Sequence, residues 1–190
     1  MNEYEVRLGE GFSVRLPLVK VDDELSIYSF NMMGKADWNR TAAESLAGII
    51  QPLCDGSADG MFDVVLTAES KAIGLTDQLA RRLGIDRYVV LRKSVKAYMK
   101  NPIGVDTQSI TTGGTQRLYL DESDFELLQG KRALVVDDVV STGGTLDAIF
   151  RMAEKAGFKI TLIACVLTEG IKRSEYGQVR MISLDHIPLP

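Results

Sequence analysis

Residues 133–157 constrain the fold more than any other stretch of this chain. Ala133 to Val136 is a continuous apolar run, β-branched at its end, and reads as a strand buried on both faces. Asp137 and Asp138 stand at its carboxyl end, followed by Val139, Val140, Ser141, Thr142, Gly143, Gly144 and Thr145. The periodicity then changes. Leu146, Ile149, Phe150 and Ala153 fall at i, i+3, i+4 and i+7, one apolar face of a helix that Gly157 ends. The unit is strand, acidic tip, small-residue loop, helix.

Two glycines let the loop turn tightly, so backbone N–H groups can converge with the hydroxyls of Ser141, Thr142 and Thr145. The positive end of the helix behind them completes a cup for a phosphate dianion. Adjacent carboxylates repel phosphate but accept the hydroxyls of a sugar. A ribose 5-phosphate fits both halves. A nucleoside-triphosphate loop would need a Lys after its last Gly, and a dinucleotide fold would need G-x-G-x-x-G; neither spacing is present. The plainer alternative, an Asp pair that merely caps a helix, leaves the run of Ser, Thr and Gly without a purpose.

Along Val135–Thr145 the sequence resembles the signature of the type I phosphoribosyltransferases, which use phosphoribosyl pyrophosphate (PRPP). The resemblance implies a three-layer α/β/α fold, mostly parallel, with strand order 3-2-1-4-5-6, an antiparallel third strand and an added N-terminal hood. It also implies Mg2+ carried on PRPP, with no ligand set dedicated to it by the protein, and a homodimer. The boundaries expected are 1–36 for the hood and 37–190 for the core, one domain overall.

The rest of the chain is compatible with that plan. Phe12, Val14 and Leu16 alternate, and Val19, Val21, Leu25 and Ile27 continue around a turn at 21–24, so antiparallel hairpins outside the main sheet are expected. Asp37 can cap a helix from Trp38 to about Leu53, with Trp38, Ala42, Leu46, Ile49 and Ile50 on one face. Phe62–Thr67 is a first core strand, a helix follows to Leu83, and Tyr88–Leu91 is a second strand, joined by a right-handed crossover. Residues 93–117 show no periodicity and contain Pro102, Gly104 and the Gly113-Gly114 pair, which reads as a structureless lid. Leu118–Leu120 returns as an antiparallel strand, Ile160–Leu167 as a central one and Gln178–Leu184 as an edge. Such sheets bind ligands where the strand order reverses, at the carboxyl ends.

The loop facing the cup should hold a leaving group. Lys71 lies just past the first core strand, and Arg92, Lys93, Lys96 and Lys100 cluster past the second. Converging cations are what pyrophosphate requires. The resemblance assigns pyrophosphate contacts to Glu69, Ser70, Lys71 and Ala72, often with a cis peptide. It is nearest to adenine-type enzymes, which also carry an Arg-Lys pair. Lys71 replaces their usual Arg and Ala72 their Gly.

The acceptor base is less defined. Ser141 stands where hypoxanthine–guanine enzymes of higher organisms carry an Asp, and the small residue suits adenine; yet 93–117 lacks the Glu that adenine-type lids supply, offering only Asp106. Tyr28, Phe30, Met32 and Met33 are stacking candidates from the hood, and Thr168 and Glu169 could read the base edge. A 6-oxopurine enzyme and a PRPP-sensing regulator without turnover are the rival readings, although no basic winged-helix pattern precedes residue 40.

Composition bears on the partners. The net charge of −4 over 190 residues argues against nucleic acid or an anionic membrane. The first residues lack the charged and apolar regions of a signal peptide, and no apolar run is long enough to span a bilayer. Cys54 and Cys165 lie in apolar settings without C-x-x-C spacing, so reduced thiols in a cytoplasmic protein are expected.

Overall fold

The computed structural model describes residues 2–23, 25–54, 61–107 and 116–190. The apolar run of the sequence forms β8 (Arg132–Val140), and Ala133, Leu134, Val135 and Val136 have no exposed surface. It is flanked by β4 (Val64–Ala68), buried at every position, and β9 (Lys159–Glu169), both parallel to it. Outside these lie β5 (Tyr88–Leu91) next to β4 and β11 (Val179–Ile187) next to β9, again parallel. The order reverses between β4 and β8, as the resemblance implies, so the loops after these strands face each other.

Helices cover both faces. On one side α1 (Ala36–Cys54) and α2 (Ile73–Arg82) bury Leu46, Ile50, Leu75 and Leu79 against Leu134, Val136, Leu162 and Ala164. On the other, α4 (Gly144–Ala156) buries Leu146, Ile149 and Met152 against Val135 and Ile163, with Leu128 of the short α3 (Glu122–Leu128) beside them. Gly157, at φ 71, ends α4 in the left-handed conformation that favours glycine.

The amino-terminal strands β1 (Glu3–Gly9), β2 (Phe12–Lys20) and β3 (Ser26–Tyr28) form a separate antiparallel sheet. Alternation buries Val6, Leu8, Val14 and Leu16, and these join the same apolar cluster as α1 and α2. The sheet therefore shares its core with the layer beneath it. Arg7 also donates its backbone N–H to the Asp185 carboxylate on β11 at 2.8 Å.

Several expectations need correction. The helix begins at Ala36, so Asp37 lies within its first turn and favours the positive helix end by charge instead of capping it. Ile49 is 41% exposed, while Ala43 and Ala47 take its place on the buried face. Residues 93–117 are not structureless throughout. Ile103–Thr107 forms β6, paired antiparallel with β7 (Gln116–Leu120), while 93–102 run as turns and bends and 108–115 of the expected lid lie outside the described residues. This ribbon rests on α4, where Arg151 and Lys155 donate to the carbonyls of Asp106 at 2.6 Å and Gly104 at 3.2 Å. Among the described residues the expected third strand meets the main sheet through reciprocal backbone bonds between Arg92 and Tyr119, at 2.9 and 2.8 Å, while its pairing as a strand is with β6. Nor is β11 the edge. Gly177 and Gln178, at φ 55 and 65, make a two-residue turn that folds β10 (Glu175–Tyr176) antiparallel along it. Among the described residues no helix is long and apolar enough to cross a membrane.

Candidate active site

The carboxyl ends of β4, β5, β8 and β9 bring the predicted residues together. β8 runs four residues past Val136, so Asp137 and Asp138 belong to the strand itself. Asp138 is 8% exposed, and its Oδ2 is buried without a hydrogen-bond partner among the described residues. Asp137 accepts the Asp138 backbone N–H at 2.9 Å. Burial, then the adjacent Asp138 charge, pushes the Asp137 carboxyl well above the usual carboxylate range; nearby Lys93 only partly offsets this.

Past them the chain leaves the strand through Ser141 and Thr142, and Gly143 turns it into α4 at φ 95. That conformation is open to glycine and strained for other residues. Ser141 is half-buried, whereas Thr142 and Thr145 are exposed at the mouth of the turn. Val139 and Val140 pair with Leu167 and Thr168 of β9 and fix the height of the loop.

Opposite, Glu69, Ser70, Lys71 and Ala72 form the turn between β4 and α2, and the Glu69–Ser70 peptide is cis. Ser70 and Lys71 are exposed. Ala72 is buried, its φ is an ordinary −86, and its carbonyl accepts the Thr76 N–H at 2.8 Å and the Thr76 hydroxyl at 2.7 Å. The methyl that replaces a family glycine thus faces the interior. Glu69 binds the basic loop: its carboxylate accepts the Lys93 N–H at 2.9 Å and lies 3.3 Å from the Arg92 guanidinium. Arg92 is therefore partly neutralised by Glu69, although its Nε is buried without a hydrogen-bond partner. Lys93 is exposed, and Lys96 donates to the Ser94 hydroxyl at 2.7 Å.

The six base candidates separate, Met32 with no exposed surface and Met33 52% exposed. Phe30 is 5% exposed and stacks on Trp38 at 5.6 Å, so much of its ring is committed to packing. Thr168 has no exposed surface, and its hydroxyl is bonded to His186 Nδ1 at 2.9 Å. Tyr28, 5.2 Å from the Tyr4 ring, and Glu169 keep half-buried surface. Thr168 and Glu169 are the last residues of β9 and do not lie past it. Sequence reasoning missed two residues here, His186 and Tyr176. Tyr176 donates to the Asp147 carboxylate at 2.7 Å, with the Gly143 carbonyl at 3.2 Å. Neither stands in a recognisable motif; only register places them at the site.

Paired carboxylates beside a glycine turn at a helix N-terminus, facing a loop with exposed Lys71, suit a sugar phosphate with a polyanionic leaving group. Comparison with known proteins agrees. Residues 39–186 match the phosphoribosyl transferase domain family. The adenine phosphoribosyltransferase of Thermotoga petrophila is 33% identical over 121 residues, 64% of this chain and 68% of that protein. The hypoxanthine/guanine phosphoribosyltransferase of Methanococcus voltae is also 33% identical over 121 residues, covering 64% of this chain and 60% of its own length. Among solved structures, the adenine phosphoribosyltransferase of Saccharomyces cerevisiae, complexed with an imino-altritol bisphosphate and adenine, superposes with a TM-score of 0.69 at 13% identity; 96% of this chain and 94% of that one are covered. That of Thermoanaerobacter pseudethanolicus gives 0.67 at 19% identity, over 90% and 95%. With the fold, the glycine turn and the match across 39–186 in agreement, this chain belongs to the phosphoribosyltransferase family of enzymes.

Proposed function

We propose that this chain transfers the 5-phosphoribosyl group of PRPP to a purine base, adenine ahead of the 6-oxopurines, giving a nucleoside monophosphate and pyrophosphate in purine salvage. The observation that carries the PRPP half is Asp138 Oδ2, a buried acceptor without a donor, close to the glycine turn that opens α4. An unsatisfied buried oxygen costs stability, and a ribose hydroxyl is the donor it lacks.

In this reading the 5-phosphate sits against Ser141–Thr145, and the ribose diol donates to Asp137 and Asp138. Glu69–Ala72, with Lys71, Arg92, Lys93 and Lys96, receives pyrophosphate as the bond from C1 to its oxygen breaks and the base nitrogen bonds C1, the proton of that nitrogen leaving to the released pyrophosphate. The protein contributes position and charge to an oxocarbenium-like state. Mg2+ fits as an ion brought by PRPP. The Asp137 and Asp138 carboxylates at the end of β8 offer it anionic surroundings. When bound, it would neutralise the departing charge. Tyr28, Met33 and Glu169 are the base candidates that retain accessible surface. A cytoplasmic homodimer accompanies this reading, and sedimentation of the purified chain tests the dimer.

Adenine ranks first because Glu69–Lys71, the Arg92-Lys93 pair and the small Ser141 follow the adenine-type pattern. A 6-oxopurine acceptor is the second reading, favoured by the Methanococcus voltae relative at the same identity. Pyrophosphate release from Mg–PRPP with adenine, hypoxanthine, guanine or xanthine at equal concentration decides between them. A clear adenine preference is expected. Reversal by about two orders of magnitude, roughly 2.7 kcal/mol, overturns adenine. PRPP binding without release under any base supports the regulator.

A further inference from the structure

The β10–β11 hairpin lies outside the strands that build the site, yet its Tyr176 reaches back to the turn before α4. The phenol oxygen lies 2.7 Å from Asp147 Oδ1 and 3.2 Å from the Gly143 carbonyl oxygen. The same carbonyl accepts the Asp147 N–H at 2.9 Å. Gly143 sits at φ 95, and a Cβ there would run into the Tyr176 hydroxyl and ring. Two constraints, one conformational and one steric, therefore reserve position 143 for glycine.

We propose that Tyr176 is a positioning residue for the ribose 5-phosphate half of the site, acting through the Gly143–Gly144 peptide. This rests on the phosphoribosyl reading above. A trans peptide is planar, so its C=O and N–H point in opposite directions. A Gly143 oxygen held on the hairpin side turns the Gly144 N–H away from the hairpin, toward the mouth of the cup. The Asp147 N–H already draws that oxygen along the helix, and the phenol adds a second hold on a peptide between two glycines, so less of the entropy of fixing it falls on a phosphate. A phenol has one proton to give; the 2.7 Å contact to Asp147 takes the larger share of it and the 3.2 Å contact to Gly143 the smaller, so the Asp147 bond matters more. Asp147 is the acidic residue in the first turn of α4, where a carboxylate competes with a phosphate for the positive helix end. Donation from Tyr176 holds that carboxylate on the hairpin side.

The phenol is suited to the task. Burial, then its hydrogen bond to Asp147, lifts its pKa to about 12, so it remains a donor at physiological pH. Its ring is fixed independently, stacked 6.1 Å from Phe150 and with the Arg173 guanidinium 5.5 Å away. Tyr176→Phe thus removes the hydroxyl and keeps the packing.

The experiment titrates full-length wild type and Tyr176→Phe with ribose 5-phosphate and, separately, with pyrophosphate, and records melting curves. The expected result is about a tenfold rise in the ribose 5-phosphate Kd, equivalent to 1.4 kcal/mol. The pyrophosphate Kd and the melting temperature should be unchanged, and KM for PRPP should rise while kcat holds. Equal ribose 5-phosphate affinity in both proteins overturns the role of Tyr176 and leaves the proposed function standing. Equal weakening toward both ligands also overturns it, since that is general loosening. Wild-type protein that binds neither ligand overturns the proposed function, and the positioning role with it.

Discussion

Glu69 reaches across from the loop after β4 to the loop after β5, accepting the Lys93 N–H at 2.9 Å while lying 3.3 Å from the Arg92 guanidinium. One carboxylate thus sets the relative position of the two segments that the proposed function assigns to the same pyrophosphate. Its own backbone N–H is held by the Leu91 carbonyl at 2.8 Å, so the strand pair carries the arrangement outward. Glu69→Ala frees both donors and lets the basic loop drift. Hydrogen bonds to charged groups contribute about 1.5–3 kcal/mol, so kcat/KM for PRPP should fall roughly 10- to 150-fold. Glu69→Gln, which still accepts from Lys93, should lose less. Steady-state kinetics on both variants would show it; a wild-type value for Glu69→Ala would remove Glu69 from the site.

At the opposite end of the same strands Asp63 and Arg132 form a two-pronged pair. Arg132 donates to Asp63 from its backbone N–H at 2.9 Å, from Nε at 3.1 Å and from its terminal guanidinium nitrogen at 2.7 Å. These bonds, led by the side-chain one, hold the Asp63 carboxyl down at about 2. A depressed carboxyl contributes stability above its unfolded value near 3.8, and that contribution fades as pH falls through about 2. The pair is about a third exposed, so its worth is at most about 1 kcal/mol, or 2–4 °C in Tm for a chain of this size. Asp63→Ala should lower Tm by that amount at pH 7 and converge with wild type toward pH 2. A difference that persists undiminished at pH 2 would contradict the assignment.

What the sequence made legible was whatever repeats with a period or carries backbone chemistry of its own. The run Ala133–Val136, the acidic pair, the glycine turn and the stop at Gly157 all follow from local rules, and the reversal between β4 and β8 followed once the family resemblance was recognised. The missed parts depend on partners distant in sequence. β6 has only five residues and is defined by its pairing with β7. The β10 hairpin turns on Gln178 at φ 65, a conformation uncommon for glutamine. Tyr176 is an ordinary surface-type tyrosine until that hairpin returns it to Gly143, 33 residues away in the chain. Phe30 and Thr168 are base candidates by residue type and place in the chain, whereas packing against Trp38 and bonding to His186 are tertiary facts that no local pattern announces.

Asp138 should be the more sensitive member of the acidic pair to removal of its charge. Its buried Oδ2 is the acceptor left without a donor, and Asp138→Asn can place an N–H there, which meets a ribose hydroxyl with a poorer partner. PRPP affinity should drop by about 1.5–3 kcal/mol, with the fold retained. Calorimetric titration with Mg–PRPP measures this, and an unchanged affinity would remove Asp138 from ribose binding.

Asp137→Asn should separate binding from stability. Burial and the Asp138 charge hold the folded Asp137 carboxyl above its unfolded value, so between those two values the native state binds more protons than the unfolded chain. Stability from this group is then greatest at low pH, declines as pH rises through that window, and stays reduced above it. Replacing the carboxyl by an amide removes the penalty. The new amide can still accept the Asp138 N–H through its carbonyl oxygen, so the local bond survives. The variant should melt higher than wild type at pH 7, by 2–4 °C for each kcal/mol or so gained, and the two melting curves should approach each other at pH 4. Mg–PRPP affinity should fall at the same time, since an amide donates where the ribose and the cation call for an anionic acceptor. Such opposition marks a site that holds charge for a ligand at the expense of its own fold. Lower stability at pH 7 together with intact binding would refute this reading of Asp137.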